Sequence, residues 1–91
     1  MTKVTMYSTQ RCPFCQQAEQ LLKSKGVGDL QKIAVDREPD QLEIMISRTG
    51  RRSVPQIFIG EVHVGGYDDL AALDRAGQLD ALLQGSGINN Q

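Results

Sequence analysis

The residues in this chain best suited to chemistry are Cys12 and Cys15, its two cysteines, set as Cys-Pro-Phe-Cys. Such a pair can serve as a structural bridge, as half of a tetrahedral metal site, or in thiol–disulfide exchange. A bridge here would enclose only four residues. Closing so short a loop stabilises little, and disulfide scaffolds use several bridges over longer loops. For zinc, the other soft ligand is His63, far along the chain, and there is no second C-x-x-C and no H-x-x-H. Redox exchange is the reading left.

Exchange requires a thiolate, because the anion is the nucleophile. Lys3 to Tyr7 alternates apolar and polar residues, the pattern of a strand, and Ser8 to Arg11 is a polar loop. From Cys12 to Lys25 the period turns helical. Cys15, Ala18, Leu21 and Leu22 share one stripe, with Gln16, Gln17, Glu19 and Lys23 opposite. Pro13 suits the first turn, where its missing N–H does no harm, and Gly26 suits the stop. Cys12 therefore opens a helix, where unpaired amides and the positive end of the dipole favour an anion. Cysteine pKa values fall to roughly 3.5–7.5 in such settings, so Cys12 is expected to be largely ionised near neutrality. Arg11 adds positive charge beside it. Cys15 lies one turn on, within reach of Cys12 and on the buried stripe. This makes Cys12 the attacking sulfur and Cys15 the resolving one. Phe14 either covers the site or packs locally.

The remaining elements must position this pair. Leu30 to Val35 reads as a second strand. Leu42, Met45, Ile46 and Thr49 form a second helical stripe after Pro39, closed by Gly50. Arg51-Arg52-Ser53 is a loop, and Val54-Pro55-Gln56 leads into a strand at Ile57-Phe58-Ile59. Gly60-Glu61 fits a two-residue hairpin turn into Val62-His63-Val64. His63 alternates with its valine neighbours and is expected to be structural. Helical spacing resumes at Asp69 with Leu70, Leu73 and Ala76, up to Gly77, and a last short helix holds Leu79, Leu82 and Leu83. Gly85 to Gln91 has no period and reads as a frayed tail. The order is β-α-β-α-β-β-α, an α/β arrangement with one mixed four-stranded sheet flanked by helices. Its first β-α-β is parallel and right-handed, and its last two strands are antiparallel. One domain, residues 1–84, accounts for the chain apart from the 85–91 tail.

Composition agrees. Of 91 residues, 40% are hydrophobic and 23% charged, which is ordinary for a globular domain. A net charge of −1 gives no field for nucleic acid or anionic lipid. No apolar run reaches the roughly 18 residues of a membrane span. The N-terminus lacks the apolar middle of a signal peptide, so a cytoplasmic location is expected. Nothing demands more than a monomer.

Three motifs, in this order and spacing, resemble the glutaredoxin family. Cys12-Pro13-Phe14-Cys15 resembles its C-P-[YF]-C site. Ser53-Val54-Pro55 resembles its T-V-P loop, with Ser for Thr. Gly65-Gly66-Tyr67-Asp68-Asp69-Leu70 resembles its G-G-x-[DS]-D-L signature. The resemblance covers about residues 3 to 84. It implies a thioredoxin-like fold and a cis peptide before Pro55. It also implies glutathione as co-substrate, with no permanently bound cofactor and no metal. The implied glutathione site is Phe14, Arg52, Ser53, Val54, Pro55, Gly66, Tyr67 and Asp68. The Val54 backbone would pair with the tripeptide like an added strand. Amides at Tyr67 and Asp68 would hold the γ-glutamyl carboxylate, and Asp68 would meet its ammonium. Asp68 also reads as an ordinary helix cap, a role Asp69 could equally take. Implied partners are glutathionylated and disulfide-containing proteins, with ribonucleotide reductase among the candidates.

Two positions depart from the family. Thr9 stands where a lysine usually faces the glycyl carboxylate, and Leu42 stands where a Gln or Arg usually does. The positive clamp must then be rebuilt from Arg11, Arg48, Arg52 or Gln41, or it is weak. Arg52, beside Ser53, is the expected one, although adjacent arginines such as Arg51 and Arg52 are commonly just solvated. The same departures keep a second electron donor in view, thioredoxin reductase. A third reading, a dimeric carrier of a 2Fe–2S cluster on the first cysteine, is chemically available. Pro13 argues against it, because cluster-binding members usually have Gly or Ser there.

Overall fold

The computed structural model describes residues 3–84, so the expected tail at 85–91 lies outside the described residues. The elements run β1 (Val4–Ser8), α1 (Pro13–Ser24), β2 (Leu30–Ala34), α2 (Pro39–Thr49), β3 (Gln56–Ile59), β4 (Val62–Gly65), α3 (Tyr67–Arg75) and α4 (Leu79–Leu83). The sheet order is β2-β1-β3-β4. β1 and β2 are parallel, in register from Val4 opposite Leu30 to Ser8 opposite Ala34. β1 and β3 are antiparallel, as are β3 and β4. This is the expected thioredoxin-like architecture, a mixed four-stranded sheet with helices on both faces.

Alternation along the strands builds two cores. Val4, Met6, Ile57 and Ile59 turn to one face, where they meet Cys15, Ala18 and Leu22 of α1, Leu70 of α3, and Leu79 and Leu83 of α4. Tyr7 and Phe58 turn to the other face, against Met45 of α2 and Val35. Leu22, Met45, Ile57, Leu70 and Leu79 are fully buried. Each such side chain contributes about 1.5–3 kcal/mol by leaving water. β2 is the outermost strand on its side. Gln31 and Lys32 at its centre are exposed, and the Lys32 ammonium lies 3.2 Å from Glu19 of α1.

Glycines set the stops the sequence suggests. Gly26 has φ +91° just past α1, and Gly50 has φ +72° at the end of α2, the left-handed geometry that closes helices. Gly60 has φ +61° and Glu61 does not turn positive, as a Gly-X hairpin turn requires. α3 begins two residues before the expected Asp69. Its first turn is polar and carries no apolar period, so spacing alone does not reveal it. Among the described residues no helix is long and apolar enough to cross a membrane.

Candidate active site

Cys12 occupies the N-cap of α1 with extended backbone (φ −131°, ψ 100°), and Pro13 takes the first helical position. The Cys15 amide donates to Cys12 Sγ at 3.1 Å. That amide is one of the donors a helix start leaves without an internal partner. A sulfur receiving it is stabilised as an anion, with the helix dipole adding to the effect. The two cysteines are joined as a disulfide, with Cα atoms 5.1 Å apart. Cys12 is 7% exposed and Cys15 3%. Cys12 is thus the outer sulfur, and Cys15 faces the core with Ala18 and Leu22. The loop before Cys12 is tied down by the Gln10 amide, which donates to Asp36 Oδ2 at 3.2 Å.

A further segment meets this sulfur. Val54, in the loop entering β3, places its carbonyl oxygen 3.8 Å from Cys12 Sγ. The Val54–Pro55 peptide is cis, as the resemblance implied. Beyond Val54 lies a cavity of about 230 Å³ lined by Phe14, Arg51, Ser53, Val54, Pro55, Gly66, Tyr67, Asp68 and Asp69. Its far wall is the start of α3. Gly66 is the N-cap there, and its amide donates to Asp69 Oδ2 at 3.0 Å. Asp69 therefore does the capping. The Asp68 carboxylate has no intramolecular partner among the described residues. Phe14, 56% exposed, stacks on Tyr67 with ring centroids 6.4 Å apart and forms the rim.

Of the expected site residues, Phe14, Ser53, Val54, Pro55, Gly66, Tyr67 and Asp68 meet around this cavity, and Arg52 does not. Arg52 is exposed, and the guanidinium on the cavity belongs to Arg51, whose Nη1 lies 3.4 Å from Asp69 Oδ2. Adjacent loop residues point in different directions, and no periodicity says which faces inward. One other candidate for the positive clamp, Arg48, is engaged elsewhere. Arg48 donates to the Tyr7 hydroxyl at 2.9 Å and lies 3.8 Å over the Phe58 ring. Leu42 packs into the core beneath α2.

His63 also stacks on Phe58, with centroids 5.0 Å apart. Its Nε2 lies 2.7 Å from Gln56 Oε1. Burial, with the positive charges of Arg51 and Arg48, pulls its pKa below the ordinary 6.5, against an opposing pull from Asp69. The fold therefore prefers neutral His63, while the unfolded chain takes up a proton as pH falls through that ordinary value. Stability is expected to decline through that range, and the decline ends below the folded-state value. Urea midpoints measured between about pH 5 and 8 check this. The wild-type curve should slope in that range, and the His63→Gln curve should slope less.

The glutaredoxin family model matches residues 4–64. This chain belongs to the glutaredoxin family. It is 54% identical over 83 residues to a glutaredoxin of Pseudomonas aeruginosa, covering 91% of this chain and 98% of that one. Against glutaredoxin 3 of Escherichia coli K12 it is 49% identical over 84 residues, covering 92% of this chain and all of the relative. Among solved structures, glutaredoxin from Brucella melitensis superposes with a TM-score of 0.83 at 43% identity, covering 99% and 96% of the two chains. A buckwheat glutaredoxin–glutathione complex superposes with a TM-score of 0.84 at 29% identity, covering 98% of this chain and 83% of that one. With its Cys12–Cys15 pair, this glutaredoxin is a thiol–disulfide oxidoreductase.

Proposed function

We propose that this glutaredoxin draws its electrons from glutathione and reduces glutathione mixed disulfides and protein disulfides in the cytoplasm. The observation that carries this reading is the placement of Cys12 Sγ against the Val54 backbone, the same residue that lines a cavity sized for a peptide fragment. In the proposed cycle the Cys12 thiolate attacks the glutathione sulfur of a mixed disulfide. A Cys12–glutathione disulfide forms and the target thiolate leaves. A second glutathione thiolate then attacks the glutathione sulfur of that disulfide, releasing oxidised glutathione and restoring the Cys12 thiolate. For a protein disulfide, Cys12 attacks one target sulfur. Cys15 then attacks Cys12, closes the intramolecular bridge and frees the reduced target.

The Val54 backbone beside Cys12 offers an edge for main-chain pairing with the tripeptide. The Gly66, Tyr67 and Asp68 segment opens α3, where amides and dipole favour a carboxylate. Asp68 is free to meet an ammonium. Arg51 supplies positive charge to the same cavity, in the role expected of Arg52. Thr9 and Leu42 favour no alternative donor by themselves, because the γ-glutamyl end of the proposed site retains its parts.

The deciding experiment couples reduction of a glutathionylated substrate to glutathione, glutathione reductase and NADPH. Saturable turnover is expected. Absence of turnover there, with turnover on thioredoxin reductase and NADPH alone, would replace glutathione by the second donor. In the same assay Arg51→Glu is expected to raise KM for the glutathionylated substrate by about three- to tenfold, the size of one half-exposed charge contact. Arg52→Glu should leave it nearly unchanged. The reverse ranking would return the role to Arg52.

A further inference from the structure

We propose that Gln56 is a positioning residue for substrate binding, fixing the direction of the Val54 N–H from inside the fold, with its own amide oriented by His63. The inference rests on the proposed use of the Val54 backbone by glutathione. Gln56 begins β3 and is 0% exposed. A buried primary amide is costly unless its donors and acceptor are matched. Here they are. Nε2 donates to the Ser53 carbonyl at 3.0 Å and reaches Ser53 Oγ at 3.3 Å, and Oε1 faces His63 Nε2 at 2.7 Å.

The chemistry of each atom fixes the orientation of the whole chain. A carbonyl oxygen only accepts, so the side of the amide facing Ser53 must be the NH2 group. Oε1 then faces His63, and His63 must carry its proton on Nε2. That donor persists whether or not Nδ1 is protonated, so Arg48, Arg51 and Asp69 can bias the imidazole charge without breaking the contact.

The consequence for binding follows from peptide geometry. The Ser53 carbonyl and the Val54 N–H belong to one planar unit, and the cis bond in this loop is the next one, Val54–Pro55. In a trans peptide the C=O and N–H point in opposite directions. Gripping the Ser53 oxygen from within therefore aims the Val54 N–H outward. Gln56 touches neither sulfur, so it acts on binding and not on the exchange step.

The test uses Gln56→Met, His63→Leu and His63→Gln in the coupled assay. It also uses hydrogen exchange of the Val54 amide in the Cys12–glutathione disulfide, trapped in a Cys15→Ser background. Gln56→Met is expected to raise KM for the glutathionylated substrate about three- to tenfold, the span of one lost hydrogen bond. The saturated rate and the ultraviolet titration of the Cys12 thiolate should not change. The Val54 amide should exchange faster. His63→Leu should shift KM the same way, and His63→Gln, which keeps a donor, should restore it. The double variant Gln56→Met/His63→Leu should be no worse than Gln56→Met alone, since both cut one chain.

Should Gln56→Met fail to fold, Gln56→Glu retains the volume and the acceptor for His63 but, when ionised, cannot donate to Ser53. The same rise in KM is expected of it. An unchanged KM in a folded variant overturns the inference. If glutathione protects the Val54 amide equally with and without Gln56, the inference alone falls. If glutathione gives that amide no protection with Gln56 in place, the proposed Val54 contact falls and the inference falls with it.

Discussion

Replacing Cys12 by serine is expected to reduce turnover by at least about a thousandfold, as loss of a nucleophile does, while Cys15→Ser keeps reduction of glutathione mixed disulfides. The asymmetry follows from two positions one helical turn apart. Cys12 is the cap, outside the first turn, and receives the Cys15 amide on its sulfur. Cys15 is inside the helix, 3% exposed, and packs with Ala18 and Leu22. Only the cap sulfur gains from the unpaired amides and the dipole, and only it adjoins the Val54 edge. A serine hydroxyl there is neither anionic nor able to form a mixed disulfide. Loss of Cys15 removes the intramolecular route for protein disulfides but leaves glutathione to complete the other cycle. Steady-state rates with the two substrate classes, run on both variants, check this. An active Cys12→Ser with an inactive Cys15→Ser would reverse the roles.

The second large effect concerns stability. Gly65→Ala is expected to cost about 3 kcal/mol, from a disfavoured backbone region and a disturbed helix cap together. For a domain this size that lowers Tm by about 12–24 °C. Gly65 has φ +114°, and an added Cβ would overlap Asp69 Oδ2 and sit 2.9 Å from its Cγ. That same carboxylate caps α3 through the Gly66 amide and faces Arg51. Either the backbone shifts or the cap breaks, and both move the cavity wall. The neighbouring Gly66 makes the contrast. Its φ is −89°, and a Cβ there would meet only the Pro55 oxygen, at 3.5 Å. Gly66→Ala should therefore be close to neutral. Gly26 separates the two contributions, since it has φ +91° but open space around it. Gly26→Ala is expected to cost about 1 kcal/mol from backbone conformation alone. Thermal melts of the three variants check the ranking. A near-neutral Gly65→Ala would mean that the Asp69 carboxylate gives way freely.

The parts of this molecule with strong local chemistry could be read from the chain. The apolar stripe Cys15, Ala18, Leu22 fixed α1, and Pro13 placed its start, so the cap position of Cys12 followed. The Gly60-Glu61 turn announced the hairpin. What escaped was set by tertiary direction. Nothing in Arg51-Arg52 says which guanidinium turns toward α3, because that depends on where Asp69 stands in space. The start of α3 escaped because its first residues, Tyr67 and Asp68, add no aliphatic residue to the helical spacing that begins at Leu70. Gln56 had a signal that could have been used. It is a polar residue heading an otherwise apolar strand, two positions before Phe58 and hence on the same face. A buried amide there was foreseeable, but its partners, Ser53 and His63, were not.

The exposed rim of the sheet carries its own safeguard. A strand with one side unpaired is a template on which another chain can add itself, and repetition of that step makes fibres. Lys32 is the middle residue of β2. An antiparallel match of two such rims about their centres would set one Lys32 ammonium opposite the other, an unfavourable pairing. Glu19 is shared between Lys32 and Lys23, so the patch keeps a net positive charge and repels its own copy. Exchanging Lys32 for a neutral β-former would remove that repulsion, and the cost would appear as self-assembly in concentrated solution with no change at the sulfur centre.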